Sequence, residues 1–203
     1  MSNFETEVKI YVTNLDEIRQ NIQNKGGQLI QERVYERNVR YDLDDNSLTS
    51  RGIVLRLRQD NSVKLTYKEP GTIERGIVTR EELEVEVSDF DTMQKILNKF
   101  GYQDTMFYEK QRTIYQCQNT YIMLDELPYG HFVEVEGKNE DIEWVLEQLG
   151  LENAEHCLEV ADAPIVNVDP DFTVPTGMTD QDISFHRMGQ MQELISAAQK
   201  RGP

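Results

Sequence analysis

The chain has 203 residues, with 37 Asp and Glu against 21 Lys and Arg, giving a formal net charge of −16. That balance argues against nucleic acid or an anionic membrane as a general partner. There is no apolar run of membrane-spanning length and no basic-then-apolar leader, so a soluble, cytoplasmic protein is the expectation.

The two cysteines, Cys117 and Cys157, fit neither a disulfide framework nor a zinc ligand set. His131, His156 and His186 have no metal-ligand spacing, and no glycine-rich phosphate loop or nucleophile elbow is present. Charge is unevenly placed. No Lys or Arg occurs between Lys138 and Arg187, whereas cations concentrate in the strand-like middle of the chain. If those cations point inward, an anionic exterior surrounds a basic interior suited to a small, highly anionic molecule.

The first stretch, Phe4-Glu5-Thr6-Glu7-Val8-Lys9-Ile10-Tyr11, alternates in polarity. As a strand it sets Phe4, Val8 and Ile10 on one face and Glu5, Glu7 and Lys9 on the other. Alone, the pattern also fits a solvated strand face. Further strands are predicted over Val34–Asp42, Ile53–Gln59, Ser62–Lys68, Val78–Val87, Tyr108–Gln116, Thr120–Leu127 and Phe132–Glu136. Turns are marked by Asp44-Asp45-Asn46, Asp60-Asn61, Glu69-Pro70-Gly71 and Pro128-Tyr129-Gly130.

Helices are predicted after a capping box at Asn14-Leu15-Asp16-Glu17, stopped by Gly26-Gly27; over Asp91–Phe100, stopped by Gly101; and over Glu140–Leu149, stopped by Gly150. Each follows a strand carrying Glu-x-Glu: Glu5/Glu7, Glu84/Glu86 and Glu134/Glu136. After Leu151 an acidic, proline-marked stretch precedes a last amphipathic helix from Arg187 to Lys200, whose apolar stripe packs on the rest of the fold or on a second subunit as a homodimer. The expected division is 1–160 for the main domain, 161–186 for the acidic loop-rich segment and 187–203 for the C-terminal helix.

Strand by strand, charges share one face and apolar residues the other. Arg56 and Arg58 oppose Leu55 and Leu57; Lys64 and Lys68 oppose Val63, Leu65 and Tyr67. Arg80, Glu82, Glu84 and Glu86 oppose Leu83, Val85 and Val87, and Glu134 and Glu136 oppose Val133 and Val135. Lys110 pairs with Arg112, and Met123 with Asp125. Eight antiparallel strands suffice to close a barrel around a small ligand. The fold expected is α+β: an eight-stranded antiparallel β-barrel forming a charged tunnel, with helices packed outside on the apolar faces. Arg and Lys suit phosphate oxygens, and carboxylates among them imply a divalent cation between, Mg²⁺ or Mn²⁺.

Glu5-x-Glu7-x-Lys9, Leu55-Arg56-Leu57-Arg58, Lys68-Glu69-Pro70, Glu109-Lys110-Gln111-Arg112, Leu124-Asp125-Glu126 and Phe132-Val133-Glu134-Val135-Glu136-Gly137 resemble, in their order, the CYTH superfamily of triphosphate tunnel metalloenzymes. The resemblance covers about residues 4–150; Ser2-Asn3-Phe4 stands where some class IV cyclases carry a His-Phe pair. It implies that Glu5, Glu7 and Glu134 hold the metal with Asp125 and Glu136 nearby. Lys9, Arg56, Arg58, Lys68, Arg80, Lys110 and Arg112 would then hold a triphosphate, with Lys64 on the same face.

The implied substrates are tripolyphosphate, ATP or thiamine triphosphate, and the implied activity is triphosphate hydrolysis, centred on Glu5, Glu7, Lys9 and Glu134. A class IV adenylyl cyclase and a non-catalytic polyphosphate- or nucleotide-binding module are the alternatives. A further expectation concerns Glu134. Three carboxylates brought together at Glu5, Glu7 and Glu134 would repel, so Glu134→Gln is expected to leave the metal-free protein no less stable.

Overall fold

Alternation and capping account for the elements of the computed structural model, which describes residues 4–128 and 130–154. Nine strands and three α-helices follow in the order β1 (Phe4–Val12), α1 (Leu15–Asn24), β2 (Gln28–Asp42), β3 (Val54–Gln59), β4 (Val63–Lys68), β5 (Thr72–Glu74), β6 (Ile77–Val87), α2 (Phe90–Lys99), β7 (Gln103–Cys117), β8 (Thr120–Leu127), β9 (Gly130–Glu136) and α3 (Asn139–Leu149). Asn14 caps α1, its Oδ1 accepting from the backbone N–H groups of Asp16 and Glu17 at 3.1 and 3.3 Å. Gly26, at φ 82°, then turns the chain out of the helix. Asp89 caps α2 through the Thr92 N–H at 2.8 Å.

Every strand pairing is antiparallel, in the order β1-β9-β8-β7-β2-β3-β4-β6-β5, and β6 pairs again with β1. Eight strands therefore close into the expected barrel, and β5 continues the β4 edge alongside β6. The break lies at Glu69-Pro70-Gly71. Three residues lie between Lys68 and Thr72 against two between their partners Glu82 and Thr79, so pairing resumes one residue out of step. Pro70 has no N–H to give the ladder, and a side chain at Gly71 would come 2.6 Å from Val78 Cγ1.

Two elements exceed expectation. β2 and β7 each run 15 residues, because their pairing continues through register shifts at Leu29/Gln31, Gln31/Val34 and Arg40/Tyr41. Each shift breaks the two-residue period by which a strand is recognised. The helix expected at 187–200 lies outside the described residues, and no helix among the described residues is long and apolar enough to cross a membrane.

The core lies outside the barrel wall. Val8, Ile10, Ile122, Leu124, Val133 and Val135 are buried beneath α1 and α3, which contribute Leu15, Ile18, Ile22, Ile142, Val145 and Leu146. Val39, Leu55, Leu57 and Val63 are buried with Phe90 and Leu97 of α2. Burying such a side chain fully contributes about 1.5–3 kcal/mol. This outer core allows the opposite face of each strand to carry charge.

Candidate functional site

The closed register turns the charged faces toward one another across the lumen. Lys9 lies opposite Glu134 and Glu7 opposite Glu136 on the β1–β9 ladder; Glu5 lies opposite Arg80 on β1–β6. Arg112 faces Asp125 on β7–β8, Lys68 faces Glu82 on β4–β6, and Arg58 faces Lys64 on β3–β4, with Arg56 two residues along. The structure thus brings all thirteen residues singled out from the sequence onto one wall: Glu5, Glu7, Lys9, Arg56, Arg58, Lys64, Lys68, Arg80, Lys110, Arg112, Asp125, Glu134 and Glu136.

It adds Glu36, Asn38 and Arg40 from β2, which lie opposite Lys110, Arg58 and Arg56 respectively. Alternation over residues 34–40 carried that signal, but Arg37 on the outer face blurred it. Arg37 is accommodated there by stacking on Phe90, 3.9 Å from the ring centre.

The charges sort into sectors. In the first, Asp125 is fully buried and accepts two bonds from Arg112 and one from Lys110, at 2.6, 2.6 and 2.8 Å. Glu134 accepts from Lys9 at 2.6 Å and from Arg112. Burial raises the Glu134 carboxyl, but Arg112, Lys9 and Lys110 outweigh it and hold the group well below its ordinary range.

The second sector lies on β2 and β3. Glu36, 1% exposed, approaches Lys110 at 3.5 Å and Arg58 at 3.9 Å. Burial raises it too, yet Lys110, Arg112, Arg56 and Arg58 bring it far below the usual carboxylate value.

The third sector has the opposite balance. Lys68 bridges Glu5 and Glu82 at 2.5 and 2.6 Å, and Arg80 reaches Glu5 at 3.3 Å and Glu7 at 2.5 Å. Burial pushes the Glu5 carboxyl up; Lys68 offsets part of this and Glu82 adds to it. Glu136 is raised as well, by burial and then by the charges of Glu5, Glu7 and Glu82. Carboxylates crowd this end of the lumen, and a divalent cation would relieve them.

Among the described residues, no three Asp, Glu, His or Cys side chains stand close enough to hold a metal as arranged. Asp125 and Glu134 present their oxygens to Arg112, Lys110 and Lys9. Glu5 and Glu7 are held by Lys68 and Arg80, the cations that an anionic ligand would draw away. Glu5, Glu7 and Glu136 therefore fit a hard cation better than Asp125 and Glu134 do. The crowding expected around Glu134 is absent for the same reason, since its immediate partners are cations.

Comparison with known proteins agrees with this architecture. A Methanocaldococcus jannaschii protein named "Putative adenylate cyclase MJ0240" is 27% identical over 140 residues, which is 68% of this chain and 79% of that protein. The structure of PH1012 from Pyrococcus horikoshii superposes with a TM-score of 0.67 at 24% identity, covering 77% of this chain and 96% of that one. HpAC1 from Hippeastrum, reported as showing a dominant triphosphatase activity, superposes with a TM-score of 0.54 at 16% identity over 72% of this chain and 88% of its own. The sequence model of the CYTH domain matches residues 3–158. The chain belongs to the CYTH domain family.

Proposed function

We propose that the protein is a metal-dependent phosphohydrolase acting on a triphosphate, inorganic or organic, bound along the lumen. The observation that carries this reading is the segregation of charge. A cation wall of Arg56, Arg58, Lys64, Lys110 and Arg112 stands beside a carboxylate-crowded end at Glu5, Glu7 and Glu136. Arg side chains grip phosphate oxygens as planar forks and Lys as point charges. Lys68 and Arg80 lie at the boundary, where exchanging carboxylates for phosphate oxygens frees Glu5 and Glu7. Mg²⁺ or Mn²⁺ held there would neutralise charge on the phosphate chain and polarise a phosphorus–oxygen bond.

The chain's own residues fix the phosphate oxygens and exclude bulk water from the buried segment. Water attacks the terminal phosphorus, and the proton it sheds passes to a phosphate oxygen of the products. The bond to the bridging oxygen breaks, releasing phosphate and leaving the bridging oxygen on the shortened chain. Fixed cations stabilise the charge that develops on that oxygen.

The relative named as an adenylate cyclase favours a second reading, class IV adenylyl cyclase. In that reaction the ribose 3′-oxygen attacks the α-phosphorus, forming cyclic AMP and expelling pyrophosphate. Incubation with tripolyphosphate, ATP and thiamine triphosphate, each with Mg²⁺ or Mn²⁺, tests both. Phosphate release is the expected outcome. Cyclic AMP as the main product from ATP overturns hydrolysis, and tight binding without turnover under either metal makes the protein a binding module.

A further inference from the structure

The middle of β2 places a hydrogen-bond acceptor where phosphate binding has no use for one. Asn38 is fully buried on the lumen wall, directly opposite Arg58 on β3 and Tyr108 on β7. Its Nδ2 donates to Glu36 Oε1 at 2.9 Å. Turning the amide over would set Oδ1 against that carboxylate, acceptor against acceptor, so Glu36 fixes the orientation. Asn38 Oδ1 then has no hydrogen-bond partner among the described residues. A buried amide carbonyl left in this way is costly, and partners are the rule.

Its neighbours have different needs. The Nε–H groups of Arg56 and Arg58 are also without hydrogen-bond partners among the described residues, and phosphate oxygens can satisfy both. An ionised phosphate oxygen cannot satisfy Asn38, because it too is only an acceptor. Fully ionised tripolyphosphate therefore offers Asn38 no donor, whereas an O–H or N–H group on an organic substituent does. Tyr108, across the ladder from Asn38, supplies an aromatic flank to the same spot.

We infer that Asn38, oriented by Glu36, is a specificity-determining residue that accepts a hydrogen bond from an O–H or N–H group on the organic part of an organic triphosphate. The assignment rests on the triphosphate reading of the lumen. It deepens that reading by making the preferred ligand an organic triphosphate with a donor close to its phosphate chain. A site built around a hydrogen bond discriminates strongly against a ligand lacking it, because the buried group is then left unpaired.

The test is calorimetric titration in EDTA, which prevents metal-dependent turnover, using ATP, thiamine triphosphate and tripolyphosphate on the wild-type chain and on Asn38→Leu. The variant is expected to lose about tenfold or more in affinity for at least one organic triphosphate, and less than about threefold for tripolyphosphate. Equal losses for all three, or none, overturn the assignment and leave the triphosphate reading standing. A wild-type chain that binds none of the three overturns both. If far-UV circular dichroism shows Asn38→Leu unfolded, Asn38→Ser is titrated against the same ligands and judged by the same ratio.

Discussion

Lys9 lies directly across the β1–β9 ladder from Glu134, and its ammonium meets the Glu134 carboxylate at 2.6 Å. The pair joins the first strand to the last strand of the barrel, and Arg112 closes on the same carboxylate from β7. Burial lowers the Lys9 ammonium's affinity for its proton, but Glu134 and Asp125 outweigh burial and raise it overall.

Glu134→Gln is therefore expected to destabilise the protein, contrary to what crowded carboxylates would give. The substitution leaves Lys9 and Arg112 short of a charged acceptor, at roughly 1.5–3 kcal/mol, the worth of a hydrogen bond to a charged group. Turnover is expected to fall as well, because the wall that positions the phosphates loses its register pin. Urea unfolding of the metal-free protein measures the first effect and phosphate release the second. Unchanged stability would mean that the pair contributes nothing net.

The two faces of β3 give a paired test. Arg56→Ala is expected to weaken tripolyphosphate binding by ~1.5–3 kcal/mol with the fold intact. Leu57→Ala, at a fully buried position in the cluster beneath α2, is expected to cost about 2–5 kcal/mol of stability. Calorimetry on the first and urea unfolding on the second distinguish the faces. An unfolded Arg56 variant beside a stable Leu57 variant would invert them.

Glu36 makes stability depend on acid. Its folded carboxyl lies far below the unfolded value of about 4.3, so its contribution is full above that value and declines as pH falls from there toward the folded pKa. Glu36→Gln is expected to cost about 3–5 kcal/mol at neutral pH, because it leaves buried cations uncompensated. The difference from wild type should narrow below about pH 4. Urea titrations at pH 7, 5 and 3.5 follow it, and a gap independent of pH would show that Glu36 acts through packing.

Asp42 is fully buried at the end of β2 and accepts backbone N–H bonds from Leu43, Leu48 and Thr49 at 2.8, 2.9 and 2.8 Å. It holds the turn between β2 and β3 in place. Asp42→Ala is expected to cost about 1–3 kcal/mol and to open that turn to limited proteolysis. Cleavage unchanged between residues 43 and 52 would contradict this.

The Lys68–Glu5 and Arg80–Glu7 bridges predict coupled binding. Mg²⁺ alone should barely raise Tm, since Glu5 and Glu7 are already engaged. Tripolyphosphate alone should raise it, by up to about 2.7 kcal/mol of stabilisation at one hundred times its Kd. Both together should exceed the sum, and Lys68→Met should reduce the excess relative to wild type under the same mixture. Strictly additive shifts would remove the coupling.

Most of the barrel was legible because the period-2 alternation is clean where it matters. Arg56 and Arg58 against Leu57, or Glu134 and Glu136 against Val135, leave one choice of inward face once helices cover the other. What local pattern cannot carry is which distant strand lies alongside. That Lys110 and Arg112 of β7 stand between Glu36 of β2 and Asp125 of β8 follows from pairings between segments far apart in the chain. The surroundings of Glu134 were misjudged for that reason. The early half of β2 was illegible because two register shifts fall within Leu29–Val34, and β5 because three exposed residues form no pattern.

Barrel closure also sets the order of events as the chain is made. β1 emerges first, yet its ladder partners are β6 and β9, so Lys9 meets Glu134 only across 125 positions of sequence. Until β9 has left the ribosome, β1 keeps at least one open edge, a template for pairing with other chains. Glu5, Glu7 and Lys9 guard that edge with charge during the wait. The residues proposed to work on phosphates in the finished protein thus also protect the nascent one, and removing their charges is expected to lower the yield of soluble protein as well as its activity.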